Sequence, residues 1–211
     1  MWYEINKRYV GTKQIRPDSG SIEDYFTWTT LNTDIWDYKI YTSWSYTVNN
    51  WLTINWGSWW SWTSYWIAVY TKKKFTWNEK KITAEYTITM DWWTYRESQR
   101  WLLYNVSTAY FEVDQYMSAW NNTSRVELQT WASSRTSYQS VSIVNPTYIW
   151  KIIIDVENNT YALYINGNLH YQWTLQYALS NKIWDPIFAF MAKSRTTTTC
   201  TCTHVKIDIE D

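Results

Sequence analysis

Strict alternation of apolar and polar residues is the feature that most limits how this chain can fold. From Ile82 to Met90 every second residue is apolar, and threonine or glutamate stands between. The segment from Val205 to Glu210 repeats the pattern. A period of two is that of a β-strand with one buried face, and no segment of useful length shows the helical period of about 3.6 residues. The chain is therefore predicted to be built of strands.

Turn residues divide the chain into many further short strands. Asn166-Gly167 lies between two apolar-rich runs, 161–165 and 168–172, and Asn-Gly is the strongest short signal for a β-hairpin. Other predicted strands lie near 64–75, 82–90, 100–105, 109–117, 124–131, 137–143, 152–156, 186–192 and 205–210. Many short strands with turns between them predict an antiparallel sandwich or barrel.

The length of 211 residues suits a single all-β domain. Residues 1–22 are polar and lack strand alternation, so we interpret them as a leader or linker and place the domain at 23–211. No apolar run approaches the roughly 20 residues of a membrane-spanning helix, and no secretory signal is visible at the N-terminus. We expect an extracellular, cell-surface or virion location, reached by another route or within a larger assembly.

Charge and cysteine content argue against a nucleic-acid partner and against a zinc site. Lysine plus arginine equals aspartate plus glutamate at 19 each, so no basic surface for a nucleic acid is expected. The run Lys72-Lys73-Lys74 is interpreted as solvated charge at strand ends. Cys200 and Cys202 provide two ligands at most, short of the four of a zinc site, and are interpreted as incidental thiols.

The chain has 19 tryptophans and only 4 glycines, a ratio far from that of an ordinary globular domain. Many of the tryptophans stand where a turn needs glycine. The positions concerned are Trp51, Trp56, Trp59, Trp60, Trp62, Trp92 and Trp93. We therefore hypothesise that the natural protein has glycine at many of them, as when UGA is read as glycine; Trp36 is the expected exception. The rival interpretation is that the tryptophans are genuine and form sugar-stacking platforms.

Three segments resemble the concanavalin A-like lectin/glucanase superfamily. The opening Asp24-Tyr-Phe26 with the later Leu31-Asn-Thr-Asp-Ile-Trp36 is similar to the first strands of such domains. The hairpin 161–169 resembles that of laminin-G-like domains, and 205–210 resembles their closing strand, which returns beside the N-terminal strand near 23–28. The resemblance implies an antiparallel two-sheet jelly-roll β-sandwich over residues 23–211.

The superfamily binds sugars on a concave face, and the segment 110–116 resembles the strand that lines it. In family 16 of the glycoside hydrolases this strand carries Glu-x-Asp-x-Glu, and Glu112 and Asp114 match its first two positions. Tyr116 replaces the acid/base glutamate, or Met117 does in a longer variant. A phenol with a pKa of about 10 is a poor proton donor at neutral pH. We therefore expect no catalytic residue, and no second glutamate opposite Glu112 at the separation that retaining hydrolysis needs.

Legume lectins carry a similar pattern that binds manganese and calcium, but Ser118 replaces their asparagine. No cofactor is expected, because this segment alone cannot supply the six to eight oxygens that calcium needs. Calcium is kept as an alternative. If 110–116 pairs with the next strand, Arg125 can neutralise Glu112 or Asp114. The candidate ligand-binding residues on the concave face are Glu112, Asp114, Tyr116, Arg125, Glu127, Gln129, Tyr95 and Arg96.

These residues predict a noncatalytic carbohydrate-binding or adhesion domain of a cell-surface or virion protein, with a glycan or polysaccharide as partner. One alternative is a glycoside hydrolase whose acid comes from another strand. The other is a purely structural sandwich in a surface or tail-fibre assembly.

Overall fold

A computed structural model describes residues 9–10, 13–14, 20–40, 45–55, 67–90, 96–105, 109–117, 122–130, 138–142, 147–174, 179–181, 183–192 and 199–211. For the strands between residues 96 and 142 it describes the backbone and the pairing register. The described residues form strands β1 to β17 and one short 3₁₀ helix, Leu179–Asn181. The prediction of an all-β chain is confirmed.

The larger layer, sheet A, has eight strands. Their order is β15-β14-β13-β8-β17-β6-β5, and β3 also pairs with β17. Every pairing is antiparallel. The bounds are β3 (Ile22–Asp24), β5 (Ser45–Val48), β6 (Leu52–Asn55), β8 (Lys81–Met90), β13 (Thr147–Asp155), β14 (Thr160–Ile165), β15 (Asn168–Thr174) and β17 (Thr199–Glu210).

The second layer, sheet B, joins two groups of strands. One has the order β12-β11-β10-β9 and the other β16-β7-β4, and β16 lies beside β9. The bounds are β4 (Trp36–Ile40), β7 (Ile67–Thr71), β9 (Arg96–Asn105), β10 (Ala109–Met117), β11 (Asn122–Thr130), β12 (Tyr138–Ser142) and β16 (Ala189–Ala192). A short separate hairpin, β1 (Tyr9–Val10) with β2 (Lys13–Gln14), lies within the segment predicted as a leader or linker.

The core is made by alternate residues of the three central strands of sheet A. In β8 the buried side chains are Ile82, Ala84, Tyr86 and Ile88, as the alternation predicted. In β13 and β17 they are Tyr148, Trp150, Ile152, Ile154, Cys202, Val205, Ile207 and Ile209. Burying an aliphatic or aromatic side chain of this size contributes roughly 1.5–3 kcal/mol. These strands therefore fix which face of sheet A is internal.

A buried hydrogen bond joins the two sheets. Asp24, in β3 of sheet A, accepts the indole N–H of Trp36, the first residue of β4 in sheet B, at 2.7 Å. Its second oxygen accepts the backbone N–H of Phe26 at 2.7 Å. Asp24 is 9% exposed and Trp36 1% exposed, so both polar groups are satisfied away from water. Asp24 and Trp36, which belong to the segments that resemble the superfamily, thus connect sheet A to sheet B.

The predicted return of the last strand to the N-terminus is also found. Val205 pairs with Asp24, and Ile207 with Ile22. Because Ile22 is the first residue of β3, the folded layer begins one residue inside the segment that we predicted as a leader or linker. Strands β4 and β5, which lack clean alternation, were not predicted.

The lysine-rich segment after β7 does more than carry solvated charge. Lys73 donates to the backbone carbonyl of Gly20 at 3.1 Å, and Lys74 forms an exposed ion pair with Asp185 at 3.1 Å. Lys80 donates to the carbonyl of Asp211. These lysines therefore connect the segment to Gly20, Asp185 and the C-terminal Asp211.

The two cysteines lie on β17 opposite core residues of β6. Cys200 pairs with Ile54 and Cys202 with Leu52, and the Cys202 thiol is fully buried. Cys202 belongs to the hydrophobic core.

The tryptophans whose side chains the structure describes differ in burial. Trp36 and Trp150 are buried in the core, whereas Trp28, Trp51, Trp173 and Trp184 are among the exposed large hydrophobic residues. Among the described tryptophans Trp77 has a positive φ, 67°, a conformation that glycine adopts without strain. Its indole N–H donates to the Ile183 carbonyl at 2.8 Å. The positions chosen to test the glycine hypothesis, Trp56, Trp59, Trp60, Trp62, Trp92 and Trp93, lie outside the described residues.

The first prediction concerns the bond that joins the sheets. Trp36→Phe removes the N–H donor and leaves a buried carboxylate short of a partner, so we expect the free energy of unfolding to fall by about 1–3 kcal/mol. Trp184→Phe is the matched control, because Trp184 is 72% exposed and should change stability by less than about 0.5 kcal/mol. Urea unfolding of both variants measures the difference; equal stabilities would show that the bond contributes nothing.

The second prediction concerns the tryptophans. Peptide-mass mapping of the protein isolated from its natural source should find glycine at positions 56, 59, 60, 62, 92 and 93, and tryptophan at position 36. Tryptophan masses at all of these positions would refute the glycine hypothesis.

Candidate functional site

Most of the candidate residues lie on two neighbouring strands of sheet B. Glu112, Asp114 and Tyr116 are in β10. Arg125, Glu127 and Gln129 are in β11. Arg96 is the first residue of β9, and Tyr95 lies outside the described residues.

Strands β10 and β11 do pair, which is the condition for neutralisation by Arg125, and their register is continuous. Asp114 is directly opposite Arg125, and Tyr110 is opposite Gln129. Directly opposite residues of an antiparallel pair have Cβ atoms about 4.5–5.5 Å apart, and opposite charges at such positions attract. The register therefore assigns Arg125 to Asp114 as its cross-strand partner, one of the two possibilities that the sequence left open.

The register places a glutamate opposite Glu112, since Glu127 is its direct partner on β11. We expected no second glutamate there at the separation that retaining hydrolysis needs, and the distance between the two carboxyl groups stays a prediction. The sequence of one strand does not show which residues of the next strand it meets across the ladder. Two acids thus occupy neighbouring positions, a placement in which like charges are unfavourable.

Strand β9 brings three residues that sequence reasoning did not select. Gln99 is opposite Asp114, Glu97 is opposite Tyr116, and Trp101 is opposite Glu112. The register between β9 and β10 shifts between Phe111 and Glu112, next to the Trp101–Glu112 pair. The segment 96–100 is polar at every position, so no alternation indicated a strand there.

Strand β12, the last strand of the group β12-β11-β10-β9, pairs with β11 and adds a fourth residue to each cross-strand row. Ser140 is opposite Arg125, Tyr138 opposite Glu127, and Ser142 opposite Thr123. Three cross-strand rows result. The middle row is Gln99–Asp114–Arg125–Ser140, the acidic row is Trp101–Glu112–Glu127–Tyr138, and the outer row is Glu97–Tyr116–Thr123–Ser142.

The three rows share one face of sheet B, because alternate residues of a strand lie on the same side. The intervening positions of β10 and β11 are mainly apolar, with Phe111, Val113, Val126 and Leu128 beside Gln115 and Ser124, whereas those of β9 include Ser98 and Arg100. An apolar set alternating with a polar set is typical of a sheet with one face on the core. The pattern therefore predicts that the three rows occupy the solvent face, which we call the row face.

The far end of sheet B carries further polar residues that the sequence did not single out. Asp37, on β4, is exposed and lies opposite Tyr70 of β7, which is half-buried. Lys39, two residues along β4, is also exposed. Trp36 and Val69, at the alternate positions, are buried. Asp37, Lys39 and Tyr70 therefore lie on the outer face of these strands.

The two histidines lie in sheet A. His204 is within 3.1 Å of the Glu23 carboxylate and stacks on Tyr25, with ring centroids 4.4 Å apart. His170, in β15, is exposed. Neither histidine is on a strand of the row face.

Among the described side chains no group of three or more histidines, cysteines, aspartates or glutamates is placed to hold a metal ion. In the same part of the chain no helix has the length and apolar character needed to cross a membrane.

Comparison with solved structures identifies the fold. The carbohydrate recognition domain of Emp47p matches with a TM-score of 0.64 at 10% identity, over 90% of this chain and 95% of that one. Bacillus licheniformis β-glucanase matches with a TM-score of 0.63 at 11% identity, over 92% and 99%. A laminarinase from Flavobacterium sp. UMI-01 matches with a TM-score of 0.62 at 16% identity, over 89% and 98%.

The chain has the concanavalin A-like jelly-roll fold, and the predicted fold and its resemblance are confirmed. Identities this low show the fold and leave the activity open. No protein-family model and no curated protein sequence matches the chain.

The third prediction follows from the two facing glutamates. Glu127→Gln removes one of two like charges at directly opposite positions, so we expect it to raise the free energy of unfolding by about 0.2–1 kcal/mol at neutral pH and low salt. Asp114→Asn, which removes a charge facing Arg125, should lower it by a similar amount. The same sign of change in both variants would contradict the electrostatic interpretation of the register.

Proposed function

We propose that the chain is a noncatalytic carbohydrate-binding or adhesion domain of a cell-surface or virion protein, and that the row face binds the glycan. The observation that carries the proposal is the placement of polar and aromatic residues in three registered rows on one face of a jelly-roll sheet. The names of the structural neighbours, a carbohydrate recognition domain and two glucan-degrading enzymes, support a carbohydrate as the class of ligand.

The residue types suit sugar hydroxyls. A guanidinium offers five donors, a carboxylate accepts through two oxygens, and an amide does both. Asp114, Arg125 and Gln99 bring these three groups into one row. Aromatic rings supply the apolar surface that pyranose C–H groups need, and Trp101, Tyr116 and Tyr138 occupy the neighbouring rows.

Binding without cleavage is proposed because of Tyr116. It occupies the position where the glucanase motif has its proton donor, and a phenol with a pKa of about 10 retains its proton at neutral pH. A leaving sugar needs a donor whose pKa is near the working pH.

The fourth prediction separates binding from cleavage. A panel of soluble glycans should bind weakly, and no reducing ends should be released from any of them. Glu112→Gln should change affinity only modestly, because no turnover depends on it. Microarray binding with a reducing-sugar assay on the same glycans measures both. Hydrolysis that is lost in Glu112→Gln would overturn the noncatalytic proposal.

One observation favours a second candidate, a retaining glycoside hydrolase with its acid on the neighbouring strand. Retaining enzymes use two carboxyl groups about 5–5.5 Å apart. Glu112 and Glu127 are direct cross-strand partners, and such positions place Cβ atoms at about that separation. This candidate requires Glu127→Gln to abolish turnover as completely as Glu112→Gln does. A chain that neither binds nor cleaves any glycan would instead be a structural sandwich of a surface assembly.

A further inference from the structure

The register defines which part of the row face is suited to direct contact with sugar. The middle row contains one aspartate and one arginine at directly opposite positions, with Gln99 and Ser140 at its two ends. Its formal charge is zero, because Asp114 and Arg125 balance. Four hydrogen-bonding residues thus follow one another across four neighbouring strands, which are about 4.7–4.9 Å apart.

The rows on either side differ in charge. The acidic row has Glu112 and Glu127, the outer row has Glu97, and neither row has a lysine or arginine. Carboxylates on both sides of a neutral row repel an anionic ligand, and like charges brought together in this way cost several kcal/mol. The position of the carboxylates beside the middle row, rather than their number, therefore favours a neutral ligand over an anionic one.

We infer that the middle row is the contact surface for a neutral glycan, that Gln99 and Ser140 contact it, and that the flanking carboxylates exclude sulfated or uronic-acid glycans. This inference rests on the proposed function and specifies its ligand class and two further residues. Gln99 matters because its amide both donates and accepts, which lets it bind adjacent hydroxyls of one sugar.

The first test compares two glutamines on strands of the same sheet. Gln99→Ala should weaken binding of laminarin, mannan or galactan by about three- to tenfold, the loss of one or two hydrogen bonds. Ser140→Ala, at the other end of the row, should weaken it by a smaller factor. Gln139→Ala is the matched control, because Gln139 faces Val126 and so belongs to the alternate positions. It should leave binding within about twofold of the parent. Circular dichroism confirms that each variant is folded.

The second test compares each neutral polysaccharide with its sulfated form at low salt. The neutral form should bind on the order of tenfold more tightly or better. Glu97→Gln should reduce this difference in affinity between the neutral and the sulfated form. Equal or tighter binding of the sulfated form would overturn the inference, as would unchanged binding in both Gln99→Ala and Ser140→Ala. In either case the proposed function would stand, since a glycan still binds. No binding of any polysaccharide would overturn both.

Discussion

The hydrogen bond between Asp24 and Trp36 is the interaction on which the two-layer structure depends. It lies inside the sandwich and joins a strand of sheet A to a strand of sheet B at 2.7 Å. A buried carboxylate is costly unless its oxygens are hydrogen-bonded, and both oxygens of Asp24 have donors. Because β4 begins at Trp36, this contact fixes where sheet B starts relative to sheet A. From β4 the sheet continues through β7 and β16 to β9.

Sheet A supplies the rigid support for that arrangement. Its central strands bury alternate residues, and a slip of one position would turn the whole apolar set to water. Sheet B is held by this core through its inner residues, of which Val69 is fully buried. The row face is predicted to lie on the other side of sheet B, where polar residues meet no packing requirement. Function in such folds lies in the surface residues rather than in the architecture.

The sequence predicted the fold more fully than the site. Strands with clean alternation, such as 82–90 and 205–210, were located well because burial on one face leaves a period of two. Strands β4 and β5 were missed because edge strands bury few residues, and β4 buries only Trp36. The position of Gln99 opposite Asp114 and that of Glu127 opposite Glu112 could not be predicted. Both depend on cross-strand register, which the turns between the strands determine and a single strand does not encode.

The central claim, that the row face binds glycan, is tested most directly by mapping a bound polysaccharide onto the backbone. Titration of ¹⁵N-labelled protein with laminarin, mannan and galactan should shift the amide resonances of β9, β10 and β11 in saturable fashion. The amides of β13, β14 and β15, in the opposite sheet, should stay unchanged. Shifts confined to sheet A, or no saturable shift with any of the three polysaccharides, would contradict the claim.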